Sequence, residues 1–361
     1  MTAALGHVGH FAWRAVARWE ALLVLLILAG GIWSWTLSDF FLQRANLLDL
    51  ATPFIYIGLL AFGLTFVVIA GEIDISVCST MAVAAVSFAQ IWHAGVNVWL
   101  AALAALGVAA ALGLANGLLV AGLNLPSLAV TLGTLAAFRG LAYVILGGSA
   151  RSDFPLNFTN IGGGYIHNEL PNALLVLFGF ALVLGLLLHA SRFGRYLYAI
   201  GSNREAARFS GIPVTRSRIT IFVISGLMAG FAAIVYLGYF GSVQADAASG
   251  SELIDVVTAV VLGGVDIFGG SGSMVGVLLA LILIAVLRNG MQLAEFGGAT
   301  QDLVIGGLLL GAILAGNAIR AVQARGMPWT RSRARGKEVS NTDTQAAGVA
   351  VDRTLETRQG G

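Results

Sequence analysis

Residues 172–190 read "NALLVLFGFALVLGLLLHA", nineteen positions without an Asp, Glu, Lys or Arg, and residues 191–218 then read "SRFGRYLYAIGSNREAARFSGIPVTRSR", which holds six arginines. An apolar run of that length matches the ~20 residues a helix needs to cross a bilayer. Runs of the same kind recur along the 361 residues, of which 58% are hydrophobic and 11% charged; mean hydropathy is +0.87. Soluble chains carry about 25% charged residues. The fold class expected is therefore an all-α polytopic membrane protein.

Setting apolar runs against polar or Gly/Pro breaks predicts about ten transmembrane helices, some short or broken: 21–37, 53–70, 75–92, 98–122, 127–147, 172–190, 219–241, 253–268, 274–292 and 301–319. Only "GEID" parts the second from the third and only "GGSGS" the eighth from the ninth, so either pair can be re-entrant. The domains expected are an N-terminal tail at 1–20, a membrane domain at 21–319 and a disordered basic tail at 320–361.

Ten spans put both termini on one side. Cytoplasmic segments collect Lys and Arg, and with the termini inside, sixteen of the twenty basic residues fall on the inner segments. Arg44 and Arg151 alone fall outside, while Arg139 and Arg288 lie within spans. The arginine-rich loop is thus expected to be cytoplasmic, and the chain a multi-pass membrane protein with both termini on the cytoplasmic side. Asp39, Asp49, Asp153, Glu169, Asp246, Glu252, Glu295 and Asp302 gather on or near the opposite side. They read either as acidic residues tolerated there or as a docking surface for a soluble partner.

Chemistry is constrained by what is missing. A phosphate-binding loop needs G-x-x-x-x-G-K before Ser or Thr; Lys337 is the single lysine, Glu338 follows it, and Arg331 stands where the first glycine belongs. The glycine-rich "GGVDIFGGSGS" (263–273) has no lysine. There is no HExxH or G-x-S-x-G motif. The five histidines show no ligand spacing beyond the close pair His7 and His10, so no metal site is predicted. The reading is a transporter subunit, not an enzyme, that binds no cofactor and is driven by an ion gradient or by a separate ATPase. No acidic residue lies mid-membrane in a well-defined span, which weighs against ion coupling.

Several residues carry two readings. Thr131 and Thr134 share a helical face, with Asn116 on the preceding span. They form a polar stripe along a solute path, or Thr bonds back to its own helix while Asn116 joins two helices. Arg139 is a pathway residue or a structural cation. Gly113/Gly117, Gly226/Gly230 and Gly307/Gly311 have small-xxx-small spacing and read as packing faces. Asp74 and Asp266 share the setting G-x-x-D-I behind Gly71 and Gly263, and read as helix N-caps or as a faint internal repeat.

"EAARFSG" places Glu205, Ala206, Ala207 and Gly211 in the spacing E-A-A-x-x-x-G, in a helix-compatible stretch between two spans. This resembles the coupling loop of bacterial ATP-binding-cassette (ABC) importer permeases. "GRYLYAIGSNREAARFSGIPVTRSRITIFVISGLMAG" (194–230) looks like the ribose-type sugar importer permeases over its whole length. So do "NGLLVAGLNLPSLAVTLGTLAAFRGLAYVILGG" (116–148), "VVIAGEIDISVCSTMAV" (67–83) and "VTAVVLGGVDIFGGSGSMVGVLLALIL" (257–283). Members commonly carry Gly-Gly-Ile-Asp-Leu-Ser-Val-Gly where this chain has "GEIDISVC", so Glu72 and Cys78 replace glycines. The "GEIDIS" and "VDIFGGSGS" forms resemble the rhamnose and autoinducer-2 branches more than ribose itself.

The resemblance implies a type II-like ABC importer permease moving a sugar or sugar-like solute inward, with Glu205, Ala206, Ala207 and Gly211 meeting the ATPase. It implies as partners a cytoplasmic ABC ATPase that uses the ATP, a periplasmic substrate-binding protein, and a second permease copy or paralogue. Gly71, Asp74, Gly263, Gly264, Asp266, Gly269 and Gly270 mark the helix breaks. The alternatives are a branched-chain amino-acid ABC permease and an ion-coupled secondary transporter.

Overall fold

The computed structural model describes residues 2–167, 170–245 and 252–326. Its contacts group Met1–Ile313 as one unit and Leu314–Gly361 as a second, of which only helical backbone to Gly326 is described. The helices are α1 (Thr2–Leu37), α2 (Arg44–Asp49), α3 (Ile55–Ile69), α4 (Val77–His93), α5 (Val98–Gly117), α6 (Ser127–Leu146), α7 (Leu156–Gly163), α8 (Asn172–His189), α9 (Arg192–Ser202), α10 (Arg204–Phe209), α11 (Val214–Phe240), α12 (Glu252–Leu262), α13 (Met274–Leu293) and α14 (Gly298–Gly326). A π turn, Leu118–Gly122, prolongs α5, and Tyr165–Ile166 (β1) pairs antiparallel with Leu170–Pro171 (β2).

Seven helical stretches are long and apolar enough to cross a membrane, with Val77–His93 and Gly298–Leu314 as shorter apolar ones. The chain is a polytopic all-α membrane protein. Differences from the sequence reading lie at the edges. The eighth expected span, 253–268, is helical only over the eleven residues of α12. At 1.5 Å per residue it reaches about 16 Å, half of the ~30 Å hydrocarbon core. The stretch expected as an N-terminal tail has helical backbone from Thr2, and α14 runs six residues beyond Arg320. The remainder of the expected basic tail, from 327, lies outside the described residues.

All fifteen residues of α3 are buried, as befits a helix apolar on every side. Packed around it are α4, α8, α11, α12 and α13. Two glycine faces bring α5 and α11 together: a methyl group at Gly113 would sit 2.3 Å from the Phe222 carbonyl oxygen, and one at Gly226 would sit 2.4 Å from that of Ala109. The same spacing at Gly307 and Gly311 meets nothing within 4 Å among the described residues, so that pair is not an internal packing face. Leu25, Leu132, Val144 and Leu182 on α1, α6 and α8 are exposed apolar side chains facing lipid or another protein.

Loop contacts define two ends of the bundle. At one, Arg151 bridges to Val243, Asn46 donates to Asn289 Oδ1 at 2.9 Å, and Tyr165 Oη donates to Asp49 Oδ1 at 2.5 Å. The Asp49 carboxylate pushes the Tyr165 phenol up to about 12. At the other, Ser273 Oγ donates to Glu20 at 2.9 Å, and the segments around Ile69, Gly201 and Gly270 meet. The second end carries the arginine-rich loop.

Candidate functional site: a surface helix tied to two helix breaks

Local capping signals explain why 203–212 folds as a separate short helix. The Asn203 side chain accepts from Ala206 N at 2.9 Å and starts α10. At its end Gly211 adopts φ +80, its N–H bonding Arg208 O at 3.0 Å and that of Ile212 bonding Ala207 O at 3.1 Å. That pair of bonds closes a Schellman motif, for which glycine has no Cβ penalty. Ala207 is buried with Ile200 and Val214, seating α10 on its neighbours. Glu205, Ala206, Arg208 and Ser210 are exposed, and Phe209 is 90% exposed.

Just ahead of α10 the backbone passes between the two helix breaks. A methyl group at Gly201 would lie 2.0 Å from Ile69 O and 2.4 Å from Gly270 N. Gly270 N–H donates to Ile69 O at 2.8 Å, so the breaks also touch each other. Tyr198 Oη donates to Gly272 O at 2.9 Å, and burial pushes that phenol up to about 12. Gly71, Gly264, Gly269 and Gly270 all take positive φ, and with Asp74, Gly263 and Asp266 they lie in the non-helical segments 70–76 and 263–273.

Glu72, 3% exposed, is the ionic centre of this junction. Its Oε1 accepts from Arg204, the first residue of α10, and from Arg218 Nε at 2.6 Å. Arg218 also donates to Val120 O at 3.3 Å and to Asn124 Oδ1 at 3.4 Å, which anchors it to the π turn. A buried carboxylate costs several kcal/mol in lost hydration unless paired and hydrogen-bonded; two guanidinium groups supply the pairing here. Sequence reasoning noted Glu72 as an added charge but not its partners, which lie 132 and 146 positions away.

Beyond Glu72 the chain continues through buried, irregular backbone whose polar groups need partners. Ile73 N–H donates to Ser127 Oγ at 3.1 Å, and Thr131 Oγ1 donates to Ile73 O at 3.2 Å and to Ser127 O at 2.9 Å. Asp74 accepts from Ser76 N, from Ser76 Oγ at 2.7 Å and from Ser225 Oγ at 3.0 Å. Asn116 Nδ2 donates to Ser76 Oγ at 2.8 Å, while its buried Oδ1 meets no hydrogen-bond partner among the described residues.

Of the four solute-path candidates, Asn116 and Thr131 thus bond to the break itself. Thr134 borders an apolar groove of about 440 Å³ between the π turn and α6. Arg139 is exposed on α6 and makes no hydrogen bond or ion pair among the described residues. The cap readings for the two aspartates need correction. Ser76 holds the N-cap position of α4, and Asp74 binds the turn before it and α11. Asp266 accepts from Phe268 N within its own loop, and Ser273 caps α13. Both aspartates serve the breaks, where an acceptor is needed, not a helix end.

At the other end Arg288 Nη2 reaches Asp255 at 2.7 Å and Asp302 at 2.9 Å, linking α12, α13 and α14. Among the described residues no group of three His, Cys, Asp or Glu side chains could hold a metal ion.

The chain belongs to the family described as branched-chain amino acid transport system / permease component, which residues 46–313 match. It is 33% identical over 326 residues to the autoinducer 2 import system permease protein LsrD of Escherichia coli (strain K12), spanning 88% of this chain and 97% of that protein. The protein of the same name from Photorhabdus luminescens is 35% identical over 307 residues, covering 82% and 90%. The chain is accordingly the multi-pass permease of an ABC import system, with ATP hydrolysis left to a separate subunit.

Proposed function

We propose that this permease carries a sugar or sugar-like solute of the autoinducer-2 class inward, and that a cytoplasmic ABC ATPase drives it by gripping α10. The observation that carries the reading is the seat of α10. Its outer face, with Glu205, Ala206, Arg208 and Phe209, is exposed in the single chain, while its first residue is tied to the α3–α4 break through Glu72 and the preceding turn of α9 packs closely on both breaks at Gly201. A partner moving α10 therefore moves irregular backbone buried in the bundle, where small rearrangements open or close a path. We place the arginine-rich end in the cytoplasm, the side on which Lys and Arg collect. A substrate-binding protein on the far side and a second permease copy or paralogue complete the importer.

The second reading, import of a branched-chain amino acid, draws on the family's description. One reconstitution decides between them: proteoliposomes holding the permease, its ATPase and its binding protein are offered labelled autoinducer 2, ribose, rhamnose and leucine. ATP-dependent uptake of one of the first three, with leucine excluded, is expected. Leucine uptake, or uptake driven by an ion gradient without the ATPase, would sink the proposal. In the same preparation Ser210→Cys should react with an impermeant maleimide only from the ATPase side.

A further inference from the structure

We infer that Glu72 is a positioning residue for transport, the ionic fastening through which a displacement of α10 pulls on the α3–α4 break; this rests on α10 being the seat of the driving ATPase. Two contacts tie the end of α9 and the start of α10 to the α3–α4 break, and they differ in what they transmit. Gly201, in the last turn of α9, lies so close to the Ile69 and Gly270 backbone that no side chain would fit there. Such a contact resists compression, so it passes on a push and not a pull. The carboxylate of Glu72 holds Arg204 by an ionic hydrogen bond, which resists separation as well.

The two arginines are not equivalent. Arg218 and Glu72 side chains are each 4% exposed, and Arg218 is held further by Val120 O and Asn124. Their contact is the fixed half of the junction. Arg204 is 39% exposed and is the first residue of α10, so it is the half that travels with the surface helix. Glu72 directly follows Gly71, whose φ of +75 marks the turn out of α3, and directly precedes the run whose polar groups engage α4, α5, α6 and α11. A pull on Arg204 is thus delivered between a turn and an irregular segment hydrogen-bonded to four helices.

The test uses the purified full chain with Cys78 replaced by alanine and a nitroxide label on Ser210→Cys, and the reconstituted importer in proteoliposomes. Glu72→Gln and Arg204→Gln should each raise label mobility. In the importer each should lower solute imported per ATP hydrolysed at least ten-fold, with the ATPase still bound and still hydrolysing. The double variant should be no worse than either single one, and Glu72→Asp should retain most coupling. Because Arg204 is half-exposed, Arg204→Gln gives the answer even where Glu72→Gln folds poorly. Unchanged label mobility, or looser label with an unchanged uptake-to-ATP ratio, would overturn the inference. Uptake that needs no ATPase overturns the functional reading instead, and is told apart because the label still loosens.

Discussion

Arg288 sits 8% exposed inside the bundle, and its charge is tolerable only because Asp255 and Asp302 lie against it. Removing one partner of a buried pair leaves an uncompensated charge and costs about 3–5 kcal/mol. Arg288→Leu should therefore lower the thermal unfolding midpoint of the detergent-purified permease by many degrees, and Arg288→Leu with Asp255→Leu should recover part of the loss. A midpoint within experimental scatter of the parent would contradict the pairing. In sequence, Arg288 stood out only as a charge within a span, with nothing to name its partners. Ion partners 33 residues apart have no periodic signature, so the pair became visible only in three dimensions.

At the scale of elements, the same small-xxx-small spacing has opposite outcomes. Gly226 faces α5 so closely that any side chain strikes the Ala109 carbonyl, whereas Gly307 on α14 faces open space in the single chain. Overpacking a tight contact costs roughly 1–3 kcal/mol and often more where backbone is struck. Gly226→Leu should destabilise the solubilised single chain, read as an earlier size-exclusion melting point, and Gly307→Leu should not. The spacing tells which glycines lie on one face but never whether a neighbour occupies it. The α12 boundary escaped for a different reason. Hydropathy counts Val265, Ile267 and Phe268 as span, although the backbone already turns at Gly264 with φ +83. The helix-compatible stretch at 203–211 does fold as a helix because the signals are local: a side-chain cap at Asn203 and a glycine at the position that stops the helix.

For the molecule as a whole, the all-α membrane class and the order of the long apolar helices were legible because apolar run length is itself the physical requirement for crossing a bilayer, although seven helical stretches and not ten meet that requirement among the described residues. What joins the helices was not, because it is built from contacts across the chain. This has a consequence for how the protein is made. The segment 71–76 enters the membrane with its hairpin early in synthesis, yet its partners Ser127, Arg218 and Ser225 are added much later. Until translation passes residue 225, Glu72 lacks Arg218 or Asp74 lacks Ser225, and the α3–α4 hairpin is an unfinished insertion that neighbouring helices or the insertion machinery must shelter. The lone cysteine reports on this, since Cys78 is buried at the start of α4 in the finished fold. In membranes it should resist maleimide in the full-length chain and react in one stopped at Pro213. Equal resistance in both would mean that the hairpin closes unaided.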